Sequence, residues 1–532
     1  MAKSTAPEIV SLSSAQVEEL LGKLAPLLPA ETYQLVEKIL RTLQWLMGVI
    51  QARDTTLGRL ARMIFGAKTE KTRAVFPQPP PANPPTAAAA TAPPPKRKGH
   101  GRTAAADYPG AKRVAVPHPQ LHPGAPCPDC KQGKLYLLKR PAQIVRITAQ
   151  SLFAATRFEL ERLRCKLCGK TFTAPAPPEA GLEKYAANVG PTLGYLRFGG
   201  GLPHYRMEGM QADQQVPLPA STQWELMAKA SPALEPVQEA LITLAAQGHL
   251  IHNDDTTMRV QSLAKETSAA TEGKERTGIF TTSLLSEVEG HRIALFITGH
   301  HHAGENLDQL LARRAKEASP PIQMCDALSR NPSKEFQTLL ANCLAHGRRQ
   351  FVDIAQDFPA ECRHVLESLG EVYQHDAQAK ESNLSPEARL RFHQEHSQKV
   401  MDELHRWMGQ QLEHKCVEPN SGLGEAIQYM LKHWEPLTLF LRQAGAPLDN
   451  NICERALKMA ILHRKNSLGY KTQNGARLGD LFMSLIHTCR LCAANPLDFL
   501  NTLQRHAKEA REHPTRWFPW NYKQALPPED TG

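Results

Sequence analysis

The sequence predicts a multi-domain α+β protein: an N-terminal coiled coil, a zinc ribbon, a helix-turn-helix, and an α/β core of the ribonuclease-H-like kind. Three observations carry this. Apolar residues recur every seven positions near the start. Two CxxC pairs lie in the first third. Farther on, a strand, a hairpin, a helix and another strand follow in α/β order, with aspartates on the first and last of them.

Length and charge set the frame. A chain of 532 residues has room for three or more domains. Its 63 Lys+Arg against 53 Asp+Glu leave a net charge of +10, which favours an acidic partner such as nucleic acid. No apolar run approaches the roughly 20 residues that span a bilayer, so no membrane role is expected. The opening MAKSTAPEIVSLSS lacks an apolar signal core. Eleven cysteines, an odd number in a large chain, argue for reduced thiols rather than a disulfide framework. A cytoplasmic, nucleoid-associated protein is expected.

The heptad runs from Glu31 to Lys68. Val36, Leu43, Ile50, Leu57 and Ile64 occupy one seam position, and Ile39, Leu46 and Leu60 the other, with Arg53 the exception. Isoleucine and valine in the first position favour a parallel dimer, so residues 1–75 read as an oligomerisation region. Residues 76–118 form a basic linker. Phe76–Pro95 holds nine Pro and six Ala, an extended composition without a core. Lys96, Arg97, Lys98 and Arg102 follow, a flexible basic segment suited to phosphates.

Cys127-Pro-Asp-Cys130 and Cys165-Lys-Leu-Cys168 are separated by 34 residues. Two such pairs close a tetrahedral four-thiolate site, which is structural because no position stays open for chemistry. Residues 119–182 therefore read as a zinc-binding domain, with strands expected around Ile144, Val145 and Ile147. A third CxxC, Cys489–Cys492, lies in a helical run and reads as core packing. Residues 183–240 read as a helical DNA-binding domain, with a helix capped at Ser221.

Leu250–Val260 reads as a strand carrying Asp254 and Asp255, which point to opposite faces. Gly278–Leu285 and His291–Thr298 read as a hairpin, Glu305–Lys316 as a helix, and Pro321–Asp326 as a strand ending in an aspartate. Downstream, Asp449 or Asn450 caps a helix bearing Glu454 and Lys458 on one face, made basic by Arg455, Arg464 and Lys465. Arg389–Glu413 reads as one long helix. Cys343 and His346 have the spacing of half a zinc site but no nearby partner pair. His300–His302 reads as loop and helix entry.

In these residues the chain resembles the transposases of the insertion sequence 66 family, bacterial enzymes of the DDE type. The resemblance covers nearly the whole chain. It rests on the order of Phe65-Gly66 with Glu70-Lys71, the double CxxC, Gly201-Leu-Pro-His-Tyr-Arg206, His252-Asn-Asp254-Asp255-Thr256, Cys343-Leu-Ala-His346-Gly-Arg348-Arg349-Gln-Phe351, Asp449-Asn-Asn451-Ile-Cys-Glu454-Arg455 with Arg464-Lys465-Asn466, and Phe518-Pro-Trp-Asn-Tyr522. Two departures stand out. Asp255 replaces a glutamate, and Ala327-Leu-Ser-Arg330 replaces an aromatic-rich stretch.

The resemblance implies that Asp254, Asp326 and Glu454 are catalytic and hold two Mg²⁺ or Mn²⁺ ions. Hard oxygen ligands suit such ions, and phosphodiester transfer needs charge stabilised on both attacking and leaving oxygens. It implies a core at 241–350 and 441–495 interrupted by a helical insertion at 351–440, with a tail at 496–532. It also implies that the protein binds the terminal inverted repeats of a mobile element and target DNA, works as at least a dimer, and has small accessory proteins. His346, Arg348 and Arg349 are read as DNA contacts beside the acids. A zinc-dependent DNA-binding protein with an inactive core is the alternative reading.

Overall fold

The computed structural model describes residues 14–29, 32–42, 75–76, 108, 111, 113–138, 142–147, 151–168, 170–264 and 277–526. The chain divides into two compact units, Pro79–Thr156 and Met1–Gln78 with Arg157–Gly532. Most of the heptad and the basic residues Lys96, Arg97, Lys98 and Arg102 lie outside the described residues. The heptad's first turns fall in a helix over residues 32–42, where Ile39 is exposed.

In the smaller unit, a tight turn carries Cys127 and Cys130, closed by Cys127 N–H to Gly133 O at 2.7 Å and a bridge from Pro126 to Lys134. The strand expected at Ile144–Ile147 does not form; residues 142–147 have no regular secondary structure, and Ile144 is 97% exposed. Alternation favours a pleated surface, yet a strand also needs a partner edge.

The larger unit begins with α1 (Ser14–Leu24). Its short hairpin pairs β1 (Arg162–Arg164) with β2 (Thr171–Thr173) and carries Cys165 and Cys168 between the strands. Three helices follow: α2 (Val189–Gly194), α3 (His204–Asp213) and α4 (Ala220–Ala245). Ser221 does not cap α4, which starts one residue earlier, after Pro219. Met227, Leu234, Val237 and Leu241 make α4 a buried helix that packs on the sheet.

That sheet has five strands: β3 (Leu250–Thr257), β4 (Phe280–Val288), β5 (His291–Gly299), β6 (Ile322–Cys325) and β7 (Leu339–Asn342). Their order is β5-β4-β3-β6-β7. The first three strands are antiparallel, whereas β6 and β7 run parallel to β3. Glu289 and Gly290 close the β4–β5 hairpin, both with positive φ (51° and 77°), the backbone a two-residue turn requires. α5 (Ala303–Leu311) stops short of the expected Lys316. The turn beyond it is fixed by Arg314, which donates to Ala246 O, Gly248 O and Ser319 O.

Helices then wrap the sheet: α6 (Leu344–Asp353), α7 (Pro359–Glu381), α8 (Pro386–His396), α9 (Gln398–Glu413), α10 (Gly422–Lys432), α11 (Asn451–Ser467), α12 (Gln473–Leu491) and α13 (Pro496–Arg505). The single helix expected at Arg389–Glu413 is broken at Ser397. That buried hydroxyl lies 2.9 Å from His393 Nδ1 and 3.1 Å from His375 Nδ1, a local alternative to helical bonding. Residues 496–526 are no loose tail: Phe499, Leu503, Trp517 and Tyr522 are buried.

The edge strand β5 is closed by α12. Ala294, Phe296 and Thr298 donate their N–H groups to Thr488 Oγ1, Ser484 Oγ and Asp480 Oδ2 at 3.1, 2.9 and 2.8 Å. Four helical residues rise about 6 Å and two strand residues about 6.7 Å, so the two repeats stay in step over three bonds. Cys489, read as core, is fully buried in this helix.

Candidate active site

The two adjacent aspartates of β3 diverge, as strand geometry demands. Asp255 is spent on structure. Its carboxylate meets Arg330 Nη2 and His302 Nδ1 at 3.1 Å each and accepts from Ala303 N–H at 3.3 Å, with its side chain only 1% exposed. It thereby ties β3 to the start of α5 and to the loop after β6. His302 enters α5 through reciprocal capping with Glu305.

Among the described residues, Asp254 forms no ion pair with a cation. Burial, then Asp326, then Asp255 and Glu454, push its carboxyl up to about 7. Its own Oδ1, accepting the Asp255 N–H at 2.8 Å, opposes that rise. Three carboxylates from β3, the end of β6 and the first turn of α11 therefore share one electrostatic centre.

Asp326 follows β6 directly. Burial raises its carboxyl, and His346 is the main opposing influence. Asn331 Nδ2 and the Leu328 N–H donate to its Oδ1. Asn331 is itself fixed, its carbonyl accepting from Asn253 Nδ2 at 2.8 Å and Gln323 Nε2 at 2.9 Å. Asn331 thus holds the loop that carries Ala327–Arg330.

Glu454 is placed by its neighbour Asn450. Asp449 Oδ1 accepts the Asn451 N–H at 3.1 Å and starts the helix, which leaves the Asn450 side chain free for other work. Asn450 Nδ2 donates to Asn253 O at 3.1 Å, and its backbone N–H donates to Cys343 Sγ at 3.2 Å. Its Oδ1 lies 2.9 Å from His252 Nδ1. An amide oxygen only accepts, so His252 carries its proton on Nδ1, and burial lowers its pKa and keeps the ring neutral. One asparagine thus joins β3, the β7–α6 junction and α11.

Glu454 Oε1 stands 3.7 Å from His346 Nε2, too far for a hydrogen bond, and has no other partner; the buried His346 Nδ1 has none either. Cys343 Sγ, a His346 nitrogen and a Glu454 oxygen lie within 4.8 Å of one another. This is the one such grouping among the described residues. Cys343 and His346 therefore do have a third partner, from a distant helix. Burial pushes the Cys343 thiol up to about 12.

The chemistry of the set follows. Burial first, and then the neighbouring Asp326, raise the Asp254 carboxyl, so its ionised form lacks compensation there. Hard divalent ions of the Mg²⁺ or Mn²⁺ class fit such donors.

The other expected site residues divide. Arg455, Lys458 and Lys465 form an exposed stripe along α11. Arg464 turns inward, donating to Thr256 Oγ1, Thr257 Oγ1 and Thr257 O. Arg348 and Arg349 are half-buried in α6 and engaged within the protein. The two cysteine pairs fall in different units. In each, backbone N–H groups lower one thiol: Gly133 and Gln132 act on Cys130, and Cys168 and Leu167 act on Cys165. Sequence reasoning missed Asn331, Arg330 and the joining role of Asn450, none of which has a local signature.

Residues 187–478 match the family described as Transposase IS66 family. Three curated relatives are uncharacterized proteins of Sinorhizobium fredii. One, y4hP, is 26% identical over 76% of this chain and 75% of its own length. Another, y4qI, is 25% identical over 62% and 61% respectively. The third, y4jD, is 32% identical over 37% and 39%.

Proposed function

The chain belongs to the Transposase IS66 family, and from that premise we propose that it binds the terminal inverted repeats of a mobile element, cuts its ends and joins them to target DNA. The observation that carries this is the electrostatic influence of Asp326 and Glu454 on Asp254, which adds to burial in raising the Asp254 carboxyl. The strand order, three antiparallel strands followed by two parallel ones, supports a ribonuclease-H-like core.

Asp254, Asp326 and Glu454 would hold two divalent ions, which when bound supply Lewis-acid stabilisation of the attacking and leaving oxygens. The chain's own work is positional. Asn450 fixes the first turn of α11 against β3, and Asn331 orients the Asp326 carboxylate. Burial and the neighbouring acids raise the Asp254 carboxyl, and a bound cation would favour its ionised form. In the first step water attacks the phosphorus at the element's end and the P–O3′ bond breaks, releasing a 3′-hydroxyl. In the second, that hydroxyl attacks a target phosphodiester and displaces a new 3′-hydroxyl, with no covalent protein–DNA intermediate.

The exposed Arg455, Lys458 and Lys465 would track the DNA backbone beside the acids. The cysteine pairs, by their spacing along the chain, would hold structural zinc. The N-terminal seam would pair protomers so that two ends are held together, and small accessory proteins would assist. None of the helices among the described residues is long and apolar enough to cross a membrane.

The test is transposition from a donor plasmid carrying the DNA that flanks this gene, with neighbouring small proteins supplied. Transposition by the wild type and none by Asp254→Asn is expected. Failure of both, with end binding retained, would overturn the catalytic assignment and leave a DNA-binding protein.

A further inference from the structure

We propose that Cys343, His346 and Glu454 form a zinc-binding site that draws Glu454 away from the other two carboxylates. The consequence for catalysis rests on Glu454 being an active-site ligand; the site itself does not.

The geometry is close to what zinc needs. Bond lengths of about 2.0–2.3 Å place the ligand atoms of a tetrahedral site about 3.5 Å apart. His346 Nε2 and Glu454 Oε1 already stand 3.7 Å apart, and Cys343 Sγ is within 4.8 Å of a His346 nitrogen and a Glu454 oxygen. Side-chain adjustments of about an ångström or less close the set, with water in the fourth position. Glu454 Oε1 faces this gap without a hydrogen-bond partner, as an atom awaiting a cation would. Cys343 Sγ receives the Asn450 N–H at 3.2 Å, the kind of outer contact that steadies a metal-bound thiolate.

The donors also select the metal. Sulfur, imidazole nitrogen and one carboxylate oxygen suit Zn²⁺ and disfavour Mg²⁺. As the Zn–S bond forms, Cys343 releases its thiol proton to solvent, and no oxidant or reductant is involved. With Glu454 so occupied, Asp254 and Asp326 lack their third carboxylate. Zinc would hold the enzyme idle until Glu454 is surrendered to the acid centre.

The experiment counts zinc in purified full-length protein, stripped by chelator, reloaded with Zn²⁺ and desalted. Cys343→Ser and His346→Asn should each lower the count by about one per chain. Cys127→Ser should remove a different equivalent, so the losses add. With Co²⁺ as the probe, a chain lacking Cys127 and Cys165 should still show a thiolate-to-metal charge-transfer band, lost on adding Cys343→Ser. Because His346 is partly exposed, His346→Asn keeps the test decisive where Cys343→Ser does not fold. A zinc count unchanged in His346→Asn overturns the proposal. The count needs no turnover. Loss of zinc in a chain that never cuts DNA sinks the proposed function alone, and unchanged zinc in a chain that cuts DNA sinks this site alone.

Discussion

Asp376 in the helical region and Asp254 in the sheet are both buried carboxylates, and the fold treats them in opposite ways. Burial pushes Asp376 up, but His393, Arg389 and Lys380 together pull it below the usual carboxylate range. Arg389 Nη2 stands 2.6 Å away, Lys380 Nζ 2.7 Å and His393 Nε2 3.4 Å. Asp254 has the same burial problem, and its leading charged neighbours are carboxylates. Asp255, one residue along, resembles Asp376, matched by Arg330 and His302. Asp376 and Asp255, which tie elements together, are matched by cations, whereas Asp480 closes the β5 edge on hydrogen bonds from Thr298 alone. At the acid centre His346 and Arg330 offset Asp326 in part, while the charged neighbours that act on Asp254 are carboxylates.

The largest effects should come from breaking the unmatched centre. Asp254→Asn, Asp326→Asn or Glu454→Gln should each lower DNA end cleavage by about 10³-fold or more, since an amide cannot replace a charged metal ligand. Gel analysis of labelled ends would check this. An amide variant that still cuts removes that residue from the site.

Breaking the matched centre should cost stability instead. Arg389→Met leaves Asp376 underpaired and should destabilise the fold by about 3–5 kcal/mol, measured by urea unfolding. A loss under about 1 kcal/mol would mean that Lys380 and His393 suffice.

The two carboxylates should also pull pH dependence in opposite directions. Asp254, raised in the fold, keeps a proton that the unfolded chain has lost. Its contribution is full below about pH 4 and fades as pH rises to about 7. Asp480, pushed by burial up to about 7, behaves alike. Asp376, lowered in the fold, contributes above about pH 4 and loses that contribution as pH falls below it. Chelated Asp254→Asn should therefore show a shallower decline between pH 5 and 7, by up to about 1.4 kcal/mol per pH unit. An unchanged slope would mean that Asp254 is not the titrating group.

The smallest effects should lie on the surface. Lys458→Ala or Lys465→Ala should weaken binding to all DNA sequences alike and reduce the salt slope by about one. A sequence-selective loss would instead make the residue a base contact.

Much of this was readable from the chain alone. β3, β4, β5 and β6 announce themselves as apolar or β-branched runs between turn signals. The two aspartates of β3 could be separated by alternation. β7 could not be seen: four residues, only half of them buried, pair with β6 across a long connection. Ser397 breaks a helix that local propensity would continue, because two histidines reach its hydroxyl through tertiary packing. The third partner of Cys343 and His346 was equally hidden, since spacing along the chain does not show which helix folds back onto it. The Asn450 contacts exist only once β3, β7 and α11 meet.

The most direct test of the unmatched centre is thermal unfolding of wild type and Asp254→Asn at pH 8, in chelator and then in Mg²⁺. In chelator the variant should be the more stable, having shed one of the repelling charges. In Mg²⁺ at about 100 times its dissociation constant, the wild type should gain about 2.7 kcal/mol, and the variant much less. Equal gains in both proteins, or none in the wild type, would contradict the claim that these carboxylates wait for a divalent ion.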